Sequence, residues 1–304
     1  MSETIYSVDR NTENDVSRVS KWKLLSVLFK TRVVGLLLLA AVGGAFLAES
    51  GVPDWSNLII LVVAGGLSAS GSGALNEYIE RESDALMSRT RLRPLVVGNI
   101  RHPGWVPYVS LLMIIVPCLA MLPSNAPLAL FLFLGAFIYV VIYTLWLKSR
   151  TILNIVIGGA AGSAAVLSGS AVVGVWNDPG AIVMAALLFS WTPMHFWSLA
   201  IVCRDDYRMS DTPMLPVQLN IRQSAYWIML HTIITGLAAL SLGVLPELGW
   251  FYFVPVFTMT VMLVVQNARL IVYPEVIEAR KMFHGSNIYL AAIILLICVN
   301  ITFV

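Results

Sequence analysis

Asn76, Glu80 and Asp84 recur at i, i+4 and i+8 where one apolar segment ends. In a helix this spacing puts all three on one face, about 6 Å apart along the axis. Such a ladder offers amide and carboxylate oxygens, which hard cations such as Mg2+ prefer, and Mg2+ commonly completes its shell with substrate phosphates. Arg89, Arg91 and Arg93 follow closely, and a guanidinium fork matches phosphate geometry. The combination predicts metal-assisted chemistry on a diphosphate. Glu77, Arg81 and Glu82 fall off the ladder face and read as solvated or mutually paired. Pro94 forces Arg93 into extended backbone, which leaves the arginines on a loop that can fold over the ladder.

The elements that must position these groups are apolar. The chain of 304 residues is 58% hydrophobic and 12% charged, with mean hydropathy +0.82, far from the composition of a soluble domain. Nine runs are long enough to cross a bilayer as helices: about 32–48, 57–75, 105–122, 127–147, 151–174, 180–201, 224–244, 250–270 and 287–304. The expected fold is an all-α polytopic membrane protein, with residues 1–20 a mobile tail and 21–304 one transmembrane domain. Its lipid bilayer is a partner in itself, and no nucleic-acid partner is expected. The 19 bases decide orientation. They lie before the first run (Arg10, Arg18, Lys21, Lys23, Lys30, Arg32) and after the second (Arg81, Arg89, Arg91, Arg93, Arg101). The rest follow the fourth (Lys148, Arg150), sixth (Arg204, Arg208, Arg222) and eighth (Arg269, Arg280, Lys281). None is left for the other connections. The rule that basic loops stay inside therefore puts the ladder and the amino terminus in the cytoplasm and the carboxyl terminus opposite. Residues 1–30 lack the apolar region of a cleaved signal. Lys21–Arg32, with Trp22, Leu24 and Leu25 among lysines, reads either as a short interfacial helix or as a charge anchor. Cys118, Cys203 and Cys298 have no paired spacing.

A second acidic cluster, Arg204-Asp205-Asp206-Tyr207, closes the sixth run, with Asp206 126 positions after Glu80. Two four-helix halves, each with an acidic motif after its second helix and a ninth helix appended, fit that repeat. The acidic loops are 76–104 and 203–223. Small-residue stretches, Gly65–Ala74 and Gly158–Ala165, let neighbouring helices approach closely. Tyr143, Trp146, Lys148 and Arg150 end the fourth run at the ladder's level, as an interfacial belt or as a cavity wall. His195 lies within the sixth run between Trp191 and Phe196-Trp197, and an ionisable group at membrane depth is a functional candidate.

With both motifs in view, the chain resembles the UbiA superfamily of intramembrane prenyltransferases, and within it the branch that farnesylates haem. The resemblance rests on Tyr143-Thr-Leu-Trp-Leu-Lys148-Ser-Arg150, Asn154 to Gly162, Trp191-Thr-Pro-Met-His195-Phe-Trp197, Arg204-Asp205-Asp206-Tyr207 and Pro213-Met-Leu-Pro216. It implies nine membrane helices and Mg2+ held by Asn76, Glu80, Asp84 and Asp206. Asp205 then belongs to the catalytic set. Arg89, Arg93, Lys148 and Arg150 contact the diphosphate, and Tyr143, Trp191, Tyr207 and His195 line the substrates, His195 beside the porphyrin. Glu80 stands where an Asp is more usual, and Asp211 where this branch commonly has Gly.

The implied reaction joins the farnesyl group of farnesyl diphosphate to a vinyl group of haem b, with addition of water, giving haem O and diphosphate. A bacterial inner membrane is the expected setting, because the short tail does not read as an Arg-rich, acid-poor transit peptide, with a haem A synthase or terminal oxidase assembly as possible partners. A related prenyltransferase acting on a quinone precursor or lipid, a secondary transporter and a non-catalytic haem-handling protein are the competing readings. A transporter site would lie at mid-membrane, whereas these acids cluster at one surface.

Overall fold

The computed structural model describes residues 20–303 and is helical throughout, with no strand among the described residues. The expected tail, with Arg10 and Arg18, lies outside them. A short α1 (Lys21–Leu28) precedes α2 (Thr31–Glu49) and α3 (Trp55–Ile79). A one-turn α4 (Arg81–Ala85) follows, then α5 (Trp105–Met121). α6 (Ala126–Phe137) runs into a π-helix over Ile138–Leu147. α7 (Asn154–Gly158) and α8 (Ala160–Val172) form the next apolar unit. α9 (Pro179–Val202) leads to the short α10 (Arg204–Met209) and α11 (Leu215–Gln218). α12 (Ile221–Leu242), α13 (Gly249–Val272) and α14 (Val276–Phe303) complete the bundle.

Eight of these units are long and apolar enough to cross a membrane, and Trp105–Met121 is a shorter ninth. The protein is an integral, multi-pass membrane protein. α14 starts well before the expected 287, because its first turns are polar: Glu278 pairs with Lys281 at 2.5 Å, a stabilising i, i+3 pair. Asn220 and Gln223 close α12 with reciprocal side-chain bonds, a capping box that a hydropathy scan does not see. α1 exists as a separate helix, broken from α2 by Lys30 in the left-handed region.

α2 packs on α3, α8, α9 and α14, so the last helix closes back on the first long one. Backbone contact makes this possible. A Cβ on Gly169 would lie 1.7 Å from the Ala41 carbonyl oxygen, so α2 and α8 can cross this closely only with glycine there. The main core joins α9, α12, α13 and α14 around Met184, Met194, Trp197, Tyr252 and Ile293. A separate cluster of Met87, Tyr143, Ile155, Ala200, Tyr207 and Met214 fastens the two acidic connections to one another.

Candidate active site

The ladder forms as its spacing requires. Glu80 sits at the α3–α4 junction, yet Glu80 N bonds Asn76 O at 2.9 Å and Asp84 N bonds Glu80 O at 2.8 Å, so the helical register runs on. All three side chains face inward: Asn76 and Asp84 are each 2% exposed and Glu80 9%. Each meets a base. Lys30 Nζ donates to Asn76 Oδ1, Lys148 Nζ lies 2.6 Å from Glu80 Oε2, and Arg93 pairs with Asp84. Burial is compatible with charge here because the charges are paired.

The second motif divides. Adjacent helical residues point about 100° apart, so α10 can turn only one of its two aspartates to the bundle. Asp206 is the buried one. Its carboxylate accepts Ser88 N at 3.1 Å, Ser88 Oγ at 2.8 Å and Arg89 N at 3.3 Å. Burial pushes this carboxyl up, but these bonds and the Arg89 charge outweigh it and hold it below the usual range. Asp205 is not brought into the cluster: its side chain is 91% exposed and reaches only Arg208, at 3.9 Å. Asp211 is exposed in a turn with φ 49°, a conformation glycine adopts freely and aspartate tolerates. Its place is conformational.

The π-helix brings Tyr139, Tyr143 and Thr144 to the ladder, and such segments frequently mark functional sites. Lys148 N bonds Tyr143 O at 2.9 Å, the i to i−5 pattern. Thr144 Oγ1 accepts from Asn76 Nδ2 at 3.0 Å, and Tyr139 OH accepts from Lys30 at 3.1 Å. Tyr143 is buried with its ring 6.0 Å from Lys148 Nζ. Tyr207 is buried in the cluster with Met87, and burial pushes its hydroxyl up to about 12. Trp146, Arg89 and Arg150 are exposed, so only Arg93 of the loop arginines closes on the ladder. Asn154 donates to Lys148 O at 3.2 Å and Pro213 O at 3.3 Å, which ties Lys148 to the second loop.

His195 lies apart, at the α9–α14 contact. Its ring stacks between Trp191 at 4.3 Å and Phe283 at 4.6 Å, and Trp191 Nε1 donates to Ser286 O at 2.8 Å. Nδ1 is 2.9 Å from Ser286 Oγ, which itself lies 2.8 Å from Phe283 O, so the serine orients the ring while the imidazole tautomer sets which of the two donates.

Sequence reasoning missed several members. Lys30, taken only as an orientation signal, reaches into the ladder. Burial and Arg93 push its ammonium down to about 8, against the pull of Glu80, Glu77 and Asp84. Glu77 is not solvated: it is fully buried, and neither carboxylate oxygen has a partner. Ser88, Thr144 and Ser286 carry no spacing signal, because each acts through a partner on a distant element. A groove of ≈480 Å3 between α13 and α14, lined by Gln266, Arg269 and Tyr289 among others, shares no residue with the cluster.

The cluster's donors are oxygens, as Mg2+ requires, and Glu80 Oε1 is buried with no partner. Among the described residues no three His, Cys, Asp or Glu side chains converge into a ready-made metal group. The donors present therefore fit Mg2+ as part of a coordination shell.

This helical membrane bundle, with acids and bases interlocked at one end, shares its fold with solved membrane proteins. It is similar to the solved structure of a digeranylgeranylglyceryl phosphate synthase, with TM-score 0.77 at 15% identity over 93% of this chain and 99% of that one. It is also similar to a UbiA homolog from Archaeoglobus fulgidus bound to DMAPP and Mg2+, with TM-score 0.66 at 14% identity over 88% and 98%. The chain belongs to the UbiA prenyltransferase family, which it matches over residues 36–296. Among its relatives is protoheme IX farnesyltransferase 2 of Paramagnetospirillum magneticum, 43% identical over 69% of this chain and 74% of that one. The protoheme IX farnesyltransferase of Sulfurisphaera tokodaii is 40% identical over 88% and 89%. The Thermus thermophilus relative of the same name is 35% identical over 89% of this chain, which spans 44% of that protein's length.

Proposed function

We propose that this prenyltransferase transfers the farnesyl group of farnesyl diphosphate to a vinyl group of haem b. The observation that carries the reading is the ladder of Asn76, Glu80 and Asp84, buried and met by Lys30, Lys148 and Arg93. Such an array suits a substrate that brings both anionic oxygens and a divalent cation. The acceptor rests on the names of the relatives at 43% and 40% identity and on the aromatic setting of His195.

Asn76, Glu80, Asp84 and Asp206 would hold Mg2+, which when bound neutralises charge on the departing diphosphate. Arg93 and Lys148 donate to the diphosphate oxygens and stabilise the charge gathering there. The carbon–oxygen bond of the allylic diphosphate breaks and its electron pair leaves with the diphosphate. The Tyr143 ring stabilises the allylic cation. The vinyl group of haem b attacks that cation, water adds to the carbon beside the porphyrin, and the water's second proton is released. The product is a hydroxyethylfarnesyl haem. No carboxylate is needed as a base on the porphyrin. The stacked pair Trp191–His195 packs the porphyrin side, and the membrane walls limit early capture of the cation by water. The acid–base cluster faces the cytoplasm in this reading, as the basic loops require.

The test is incubation of the purified chain with labelled farnesyl diphosphate, Mg2+ and either haem b or 4-hydroxybenzoate. Label entering haem supports the reading; label entering the benzoate alone assigns a quinone-precursor acceptor.

A further inference from the structure

Lys30 does not lie on a membrane-crossing helix but on the hinge before one, and its backbone is in the left-handed region at φ 49°. A lysine gains nothing locally from that conformation, so tertiary contacts hold it. Its stem lies against Gly73 of α3, where a Cβ would come within 3.2 Å of Lys30 Cδ. Nζ donates to Asn76 Oδ1 and, at 3.1 Å, to Tyr139 OH. The bond from Asn76 Nδ2 to Thr144 Oγ1 at 3.0 Å fixes the amide with its oxygen toward the lysine. The top rung of the ladder is thus built around an ammonium ion, just as the lower rungs hold Lys148 and Arg93.

We infer that Lys30 is an internal place-holder for the divalent cation, occupying the Asn76 oxygen until metal and diphosphate arrive together. The inference rests on the metal–diphosphate reading above. A free divalent cation would have to displace Lys30 from Asn76 and Lys148 from Glu80, stranding those ammonium groups among one another and Arg93. A diphosphate supplies the anionic oxygens that receive them. The two ligands therefore bind with positive coupling, and Lys30 is the residue through which much of that coupling passes. Lys30 is a positioning residue in this account, and its signature is in metal affinity rather than in turnover.

The experiment is titration of the full-length purified chain with Mn2+, followed by electron paramagnetic resonance, with and without inorganic pyrophosphate. Lys30→Met should bind Mn2+ alone about tenfold more tightly than the unmodified chain, with a correspondingly smaller gain from pyrophosphate. Lys30→Arg, which keeps the charge, should stay close to the unmodified chain. Gly73→Ala, which crowds the lysine without removing it, should move in the direction of Lys30→Met and covers the case in which that variant fails to fold. Mn2+ affinity unchanged or weakened in both Lys30→Met and Gly73→Ala would overturn the inference. If the unmodified chain binds no Mn2+ even with pyrophosphate, the metal–diphosphate reading itself fails, which is a separate result.

Discussion

Ser88 Oγ donates to the Asp206 carboxylate across 2.8 Å, though the two residues stand 118 positions apart. This bond, with those from Ser88 N and Arg89 N, latches the first acidic connection onto the second. Removing the hydroxyl in Ser88→Ala should raise hydrogen exchange of the 88–89 amides about tenfold, the equivalent of about 1.4 kcal/mol for a charge-assisted bond. Unchanged exchange would show that the latch is held elsewhere.

The same latch has a pH signature. Asp206 titrates below its ordinary value of 3.8 in the folded chain, so its contribution to stability is fully present above that value. The contribution is lost as pH falls through the lower folded value. Protection of the 88–89 amides, corrected for intrinsic exchange, should hold from pH 7 to pH 5 and collapse only under stronger acid. Loss already between pH 7 and pH 5 would contradict the assignment.

Arg93 and Arg91 separate function from topology. Arg93 closes on buried Asp84, while Arg91 is exposed. Arg93→Ala should cost about a hundredfold in kcat/KM for the prenyl diphosphate, about 2.7 kcal/mol, whereas Arg91→Ala should stay within about twofold. Equal losses in both would mean that the loop acts only as a diffuse positive surface.

His195 and Ser286 form the acceptor-side test. His195→Ala should weaken haem b binding in an absorbance titration. Ser286→Ala should retain binding but change the spectrum of bound ferric haem, because Nδ1 loses the partner that fixes the tautomer and ring orientation. If both variants titrate like the unmodified chain, His195 is a packing residue of the α9–α14 contact.

The α2–α8 crossing makes a stability prediction. Gly169→Val would drive side-chain atoms into the Ala41 carbonyl and should prevent recovery of a monodisperse protein in detergent. Gly35→Ala, with nothing within 4 Å of the new carbon, should behave normally. Size-exclusion profiles distinguish the two.

Much of this architecture was readable because hydropathy and helical spacing are local. The long helices follow the apolar runs, and the Asn76–Glu80–Asp84 face follows from the period of 3.6. What could not be read depends on long-range placement. Asp205 and Asp206 look alike in sequence, and only the phase of α10 decides that the second is buried. Trp146 and Tyr143 are three residues apart, and the π-helix decides that only Tyr143 joins the cluster. Glu77 looked solvated because charge usually is, but α3 turns it into the bundle. Lys30 carried a perfectly good orientation signal, and that signal hid its contact with Asn76, 46 positions away.

Mass spectrometry of the haems formed by the purified chain from haem b, farnesyl diphosphate and Mg2+ tests the central claim most directly. The account predicts a haem heavier by one farnesyl group and one hydroxyl, formed with stoichiometric diphosphate and lost in Asp84→Ala. Unmodified haem b after full consumption of the farnesyl diphosphate, or full product from Asp84→Ala, would contradict it.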